Sequence, residues 1–190
     1  MGGFGRSTKE KNPVPEYADI YGLSTTRTPD EIRRFLDRFL PSRIESADEY
    51  EVPQYSDSPH TVYQTAEELI AHCCENPSEV HAIYWRSDAV PRHAEVFFLA
   101  DQNLIFGIST PSEDHSAVDA AAHDLCSFLN SSDVFVTYED VPPETTDEFR
   151  SVLGGLKDDP AESERQTRTH KPIRVEQGGG GQAATRAESK

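Results

Sequence analysis

The sequence predicts a single α+β domain, in which a mainly antiparallel sheet of about four strands has helices packed on one side. Three observations lead to this prediction. Two segments with helical spacing come first, three strand-like runs follow between residues 81 and 109, and a helix, a strand and a last helix complete the pattern. The polar segments 1–19 and 154–190 hold too few apolar residues to fold and are expected to be disordered tails, which leaves residues 20–153 as the domain.

The first helix is predicted from the segment TRTPDEIRRFLDRFLP. Thr28 is a favourable N-cap, Pro29 suits the first helical position, and Glu31 completes a capping box. The apolar residues of this segment recur at helical spacing and form one stripe: Ile32, Phe35, Leu36 and Phe39. The segment TAEELIAHCCENP repeats the pattern, with Thr65 as the N-cap and Glu68 at the other end of the box.

Strands are predicted from alternation and from continuous apolar runs. The segment EVHAIYWR alternates weakly, which indicates a strand with one covered face. The runs AEVFFLA and NLIFGIS flank a turn at residues 101–103 and form a hairpin. Their continuous apolar character is typical of central strands that are covered on both faces. The packing of this hairpin is expected to involve Phe97, Phe98, Leu99, Ile105 and Phe106.

Shorter or later elements are predicted in the same way. Val62 and Tyr63 mark a brief strand within a polar, proline-containing segment. The segment SEDHSAVDAAAHDLCSFLN predicts a long helix, and DVFVTYED predicts a fourth strand. The segment PPETTDEFRSVLGG predicts a short last helix, which we expect to end at Gly154.

The chain carries a formal net charge of −16, and the acidity is concentrated in the predicted domain. Residues 20–153 contain 25 acidic residues and eight arginines but no lysine. Such an acidic surface repels phosphate backbones, so we expect no nucleic-acid partner. It attracts a basic protein instead, although solubility or adaptation to a salty environment also accounts for the acidity.

Motifs for targeting and for catalysis are missing. No apolar run is long enough for a transmembrane helix, the N-terminus lacks the apolar core of a secretory signal, and Arg6 stands where myristoylation requires Ser or Thr. We therefore expect a cytoplasmic location and no membrane partner. The three cysteines fit neither a disulfide framework nor a zinc ribbon. Without a P-loop, a dinucleotide fingerprint or a nucleophile elbow, we expect no cofactor and do not favour an enzyme.

The segments VYQTAEELIAHCCENPSEVHAIYWR and RHAEVFFLADQNLIFGIS give a helix, a strand and then a hairpin whose second strand contains Gly107. In this layout and in its charge, over roughly residues 60–140, the chain resembles bacterial toxin-immunity proteins of the small, acidic, single-domain α+β kind. The resemblance implies a non-catalytic protein-binding module that masks the active or substrate-binding surface of a cationic, nuclease-like or deaminase-like toxin. The long polar tails depart from that family's pattern.

The partner-binding surface is expected in the polar segment that follows the first helix. Its acidic and aromatic residues suit a basic partner: Glu45, Asp48, Glu49, Tyr50, Glu51 and Tyr55. The alternative function is a small enzyme or ligand-binding domain with a site at the sheet rim, formed by Trp85, Arg86, Arg92 and His93. The arginines of that rim could anchor a carboxylate or a phosphate, but internal ion pairs with Asp88 or Glu95 compete with this interpretation.

A metal site has weaker support on the long helix. His115, Asp119 and His123 are spaced four residues apart, so their side chains project along one helix face and could share an ion. A polar flank beside the sheet explains the same spacing. We therefore predict no metal and keep these three residues as the candidates.

Overall fold

A computed structural model of the chain describes residues 15–138, 140–158 and 171–172. In chain order the elements are β1 (Tyr17–Ser24), α1 (Pro29–Phe39), β2 (Ile44–Glu45), β3 (Tyr50–Val52), β4 (Thr61–Tyr63), α2 (Ala66–Glu75), β5 (His81–Arg86), β6 (His93–Phe98), β7 (Leu104–Pro111), α3 (His115–Leu129), β8 (Val134–Thr137), α4 (Thr146–Asp158) and β9 (Lys171–Pro172). Of the segments 1–19 and 154–190, which were expected to be disordered, residues 1–14, 159–170 and 173–190 lie outside the described part of the chain. Residues 17–19 and 154–158 belong instead to β1 and α4.

The predicted α+β class with a mainly antiparallel sheet is confirmed. Within the described residues, seven strands form one sheet in the order β2-β5-β6-β7-β1-β8-β9, and β3 pairs with β4 in a small separate sheet. Every pair is antiparallel. The sheet exceeds the expected four strands chiefly because β1, at the N-terminal end of the domain, inserts between β7 and β8. The prediction that β6 and β7 are central strands is also confirmed.

The N-cap threonines predicted from the sequence act as expected, whereas Glu68 accepts from the backbone N–H of Gln64 instead of completing a capping box with Thr65. Thr28 Oγ1 accepts a hydrogen bond of 3.3 Å from the backbone N–H of Glu31, and Thr65 Oγ1 accepts one of 3.2 Å from that of Glu68. These bonds satisfy backbone donors that have no partner inside the helix. The apolar stripe of α1 is buried in the core: Ile32, Phe35, Leu36 and Phe39.

The two faces of the sheet are covered differently. Helices α1, α2 and α3 pack against one face and bury the larger core. Helix α4 packs on the opposite face, called here the second face, where Phe149 and Leu153 contact a smaller core that includes Tyr21 and Phe135. The expectation that all helices lie on one side is therefore wrong. Neighbouring residues of a strand point to opposite faces, and the continuous apolar runs of the central strands supply both faces.

The C-terminal part of the fold extends beyond Gly154. Helix α4 continues through Gly154 and Gly155 to Asp158. A glycine weakens a helix by about 1 kcal/mol but ends it only where the chain turns into the left-handed region, and no described glycine has a positive φ. The strand Lys171–Pro172 pairs with β8 by its backbone. None of the described helices has both the length and the apolar character that crossing a membrane requires.

Candidate functional site

A group of carboxylates that form no ion pair with any described residue lies on the loop between β2 and β3 and on the β3–β4 hairpin. This group, called here the acidic patch, consists of Asp48, Glu49, Glu51 and Asp57. Asp48, Glu49 and Asp57 are exposed, and Glu51 is half-buried. Among the described residues, no arginine or histidine nitrogen lies within 4.0 Å of their carboxylate oxygens.

Most arginines of the domain are already engaged with groups of the chain itself. The ion pairs are Arg33–Asp30, Arg34–Glu31, Arg38–Asp124, Arg43–Asp37 and Arg86–Asp88. Arg27 donates to backbone carbonyl oxygens instead. These arginines therefore do not neutralise the carboxylates of the acidic patch, which keeps its negative charge exposed to solvent.

Two of the six residues predicted to contact a partner are built into the fold. Glu45 Oε2 accepts hydrogen bonds of 2.9 Å from the Tyr50 hydroxyl and from the backbone N–H of Ala66. Tyr50 is only 4% exposed. Burial is the main cause that raises the pKa of Tyr50 well above its usual range, and the hydrogen bond to Glu45 adds to the shift. Glu45 and Tyr50 therefore shape the loop, whereas Asp48, Glu49 and Tyr55 face solvent.

A side-chain amide closes the outer edge of β5 next to the acidic patch. Gln54 Nε2 donates to the carbonyl oxygen of Ala82 at 3.0 Å, and the backbone N–H of Ala82 donates to Gln54 Oε1 at 2.8 Å. The amide occupies the two backbone groups that a further strand would use. Because β2 pairs only with Trp85 and Arg86, Gln54 blocks the part of the edge that β2 leaves open.

A cavity of about 240 Å³ lies between this loop and β5. Its lining consists of Ser46, Ala47, Glu49, Tyr50, Glu51, Gln54, Tyr55, His81, Ala82 and Tyr84. Burial and then the charge of Glu95 raise the pKa of Tyr84 to about 12, so its phenol is neutral at physiological pH. The cavity thus combines aromatic rings with two carboxylates, Glu49 and Glu51.

Tyr55 is the most exposed aromatic side chain of this region. It is 83% exposed, and its φ of 59° lies in the left-handed region that bulky residues rarely adopt. A large aromatic residue held in this conformation and turned toward solvent is costly for the isolated protein, and such costs concentrate at functional sites. The sequence identified Tyr55 through its residue type, but its backbone conformation could not be read from the sequence.

The residues of the alternative rim site are distributed over both faces of the sheet. Trp85 is 2% exposed and belongs to the core under the helices. Arg86 points to the second face and is ion-paired with Asp88 at 2.7 Å. His93 also lies on the second face, with its ring edge-on to Tyr17 at a centroid distance of 5.3 Å. Arg92 is half-buried in the β5–β6 turn. Because Trp85 faces the larger core and Arg86 and His93 lie on the second face, the sheet separates Trp85 from these polar residues.

The three candidate metal ligands on α3, which are His115, Asp119 and His123, do not converge on a common point. His115 and His123 are exposed, and His123 Nδ1 lies 2.8 Å from the backbone carbonyl oxygen of Asp119. Throughout residues 15–138 and 140–155, no three His, Cys, Asp or Glu side chains are grouped so as to hold a metal ion.

A guanidinium at the end of β1 holds three segments together. Arg27 donates to the carbonyl oxygens of Cys73 and Glu79 at 2.8 Å and of Leu99 at 2.7 Å, and it lies over the ring of Phe98. These bonds satisfy carbonyl groups at the C-terminal end of α2 and in the loops beside it. Burial also raises the pKa of the Cys73 thiol to about 12, which leaves it unreactive.

Three polar side chains meet on the second face, and this cluster was not predicted. Ser109 Oγ lies 2.6 Å from Asp19 Oδ1 and 2.8 Å from Glu95 Oε1. The available signal was the polar residues Glu95 and Ser109 inside otherwise apolar strands. Their connection to Asp19 depends on β1 pairing with β7, which is a long-range contact.

Comparison with protein-family models, with curated proteins and with solved structures gave no match to this chain. The resemblance to toxin-immunity proteins therefore stays a prediction.

Proposed function

We propose that the protein is a non-catalytic acidic module that binds a basic protein and masks a functional surface of it. The single observation that carries this proposal is the acidic patch, whose carboxylates have no cationic partner among the described residues. Exposed charges of one sign attract an oppositely charged protein and orient it during the encounter.

The cavity beside the acidic patch suits a cationic side chain of that partner. Tyrosine rings attract ammonium and guanidinium groups, and carboxylates form charge-assisted hydrogen bonds with them. Glu49, Glu51, Tyr55 and Tyr84 supply both kinds of contact around one cavity. An arginine or lysine of the partner is the group that we expect to enter it.

Binding fits this cavity better than catalysis does, because several of its polar groups are already engaged. The Tyr50 hydroxyl is hydrogen-bonded to Glu45, and the Gln54 amide is hydrogen-bonded to the backbone of Ala82. The two ring nitrogens of His81 each lie 3.0 Å from a backbone carbonyl oxygen. The imidazole that a general acid–base mechanism would employ is thus held by the fold.

The test begins with capture of partners by the full chain at low salt, followed by purification of the retained protein. Calorimetry of the purified pair at rising salt should show weaker binding, because exposed charges are screened beyond about 10 Å at 0.1 M salt. Tyr55→Ala should weaken binding about tenfold. Val141→Ala is the matched control, since Val141 is 84% exposed and does not line the cavity.

Two outcomes would contradict the proposal. The first is that no basic protein binds the purified chain at low salt. The second is that a basic partner binds with an affinity that neither salt nor Tyr55→Ala changes, which would place its binding surface elsewhere.

A further inference from the structure

The cluster of Asp19, Ser109 and Glu95 lies where β1, β7 and β6 are neighbours in the sheet. Asp19 and Ser109 are opposite each other in the β1–β7 pair, and Glu95 is opposite Gly107 in the β6–β7 pair. Because Gly107 has no side chain, Glu95 can lie close to the strand: a Cβ added at Gly107 would come within 3.2 Å of Glu95 Oε2. Ser109 and Glu95 are 6% and 9% exposed.

The two short distances at Ser109 require a hydrogen atom that the serine does not have. A hydroxyl group carries one hydrogen and can donate it to only one carboxylate. The other contact joins the hydroxyl oxygen to a second carboxylate oxygen, and two lone pairs without a hydrogen between them repel at 2.6 to 2.8 Å. A protonated carboxyl group supplies that hydrogen by donating it to Ser109 Oγ.

The surroundings favour the protonated form. The titratable groups beside the cluster are Tyr84 on β5, His93 on β6 and Tyr21 on β1, and Asp140 acts on Tyr21. The two phenols are neutral. His93 opposes protonation, because its electrostatic interaction with Asp19 lowers the pKa of Asp19. In the described part of the chain, no arginine forms an ion pair with Asp19 or Glu95. Two ionised carboxylates around one hydroxyl would repel each other.

We propose that Asp19, Ser109 and Glu95 form a proton-binding site, which holds one proton shared by the two carboxyl groups through the Ser109 hydroxyl and releases it when the pH rises. Release adds one negative charge to the second face and weakens the contact between β6, β7 and β1. The site is therefore a pH-sensitive element of the fold, and it does not depend on the proposed basic partner.

The pKa shifts of the two carboxyl groups favour a bound proton, as the distances at Ser109 do. Burial raises the pKa of Glu95 to about 7, the charge of Asp19 acts in the same direction, and the hydrogen bond from Ser109 opposes the shift. Burial also raises the pKa of Asp19, against the hydrogen bond from Ser109 and the attraction of His93. The two groups are close enough to titrate as a pair, so the proton belongs to the pair.

The test is a pH titration of the side-chain carboxyl carbons by nuclear magnetic resonance, performed on the full chain. In the wild-type protein we expect one of the two carboxyl groups to titrate near neutral pH. In Glu95→Gln the amide donates to Ser109 permanently, so no carboxyl group of the cluster should titrate near neutrality. Glu113→Gln, which removes an exposed carboxylate, should leave the wild-type titration unchanged.

A second variant keeps the proposal testable if Glu95→Gln fails to fold. Asp19→Asn offers an amide donor from the other side of Ser109 and should shift the titration of Glu95 to lower pH, because it removes the charge of Asp19 that helps to raise the pKa of Glu95. If Asp19 and Glu95 of the wild-type protein both ionise in the range of ordinary exposed carboxyl groups, about pH 4, the proposal is overturned. Persistence of the near-neutral titration in both variants would overturn it as well.

Discussion

The carboxylate of Glu45 and the backbone N–H of Ala66 are joined by a hydrogen bond of 2.9 Å, which connects the end of β2 to the first residue of α2. The same carboxylate oxygen accepts a bond from the Tyr50 hydroxyl. A negative charge at the start of a helix also interacts favourably with the helix dipole. One side chain therefore fixes both the base of the loop that carries the acidic patch and the start of α2.

Glu45→Ala should lower the free energy of unfolding by about 1–3 kcal/mol, because it leaves the Tyr50 hydroxyl and the Ala66 N–H without their acceptor. Urea denaturation followed by circular dichroism measures this loss. Glu49→Ala is the control from the same loop and should change the stability by no more than about 0.5 kcal/mol, since Glu49 is exposed. Equal effects of the two substitutions would contradict the structural role of Glu45.

Arg27→Lys should be strongly destabilising although it keeps the positive charge. The planar guanidinium donates to several carbonyl oxygens in different directions, and an ammonium group cannot reproduce that geometry. We expect a loss of about 2–4 kcal/mol in the free energy of unfolding. Arg33→Lys, at an exposed ion pair on α1, should cost less than about 1 kcal/mol in the same denaturation experiment. If both substitutions have similar small effects, Arg27 does not hold these segments together.

The stability of the fold should depend on the ionisation of Glu95. The pKa of Glu95 rises from 4.5 to about 7 on folding, so its favourable contribution is complete below pH 4.5 and is lost as the pH rises to 7. Glu95→Gln should therefore match the wild-type protein at pH 5 and exceed its free energy of unfolding at pH 8 by about 2–3 kcal/mol. Comparing variant and wild type at each pH removes the contribution of other groups, such as His81, whose pKa is lowered mainly by burial. A difference that is the same at both pH values would contradict the prediction.

Gln54→Ala should open the edge of β5 beside the cavity. The backbone N–H of Ala82 would lose its acceptor, and its hydrogen exchange should become about tenfold faster. Gln54→Glu is the informative comparison, because it keeps an acceptor for Ala82 N–H but loses the donor to Ala82 O. Exchange in Gln54→Glu should therefore lie closer to the wild-type rate. No change at Ala82 in Gln54→Ala would show that the edge is protected by another contact.

Local patterns in the sequence were sufficient for most elements of the fold. The N-caps at Thr28 and Thr65 and the hairpin around residues 101–103 are encoded within a few neighbouring residues, and all three occur in the structure. Strand β1 was missed, because YADIYGLS contains both a glycine and polar residues. Its strand character comes from pairing with β7 and β8, which is decided by distant parts of the chain.

The candidate site was predictable only in part. The exposure of Asp48 and Glu49 follows from a polar loop, which the sequence shows directly. The inward roles of Glu45 and Tyr50 depend on the start of α2, and the bond between Ser109 and Asp19 depends on strand order. Residue type therefore indicates where charge is found, whereas long-range pairing decides which charged groups stabilise the fold and which are left for a partner.

The most direct test of the central proposal compares two triple variants with the same change in net charge. One variant neutralises the acidic patch by Asp48→Asn, Glu49→Gln and Asp57→Asn. The other neutralises exposed carboxylates elsewhere by Glu75→Gln, Glu113→Gln and Glu144→Gln. The affinity of each for the purified basic partner is measured at low salt. We predict that the patch variant binds at least about tenfold more weakly than the control variant. Equal affinities would show that only the total charge matters and would contradict a binding surface at the acidic patch.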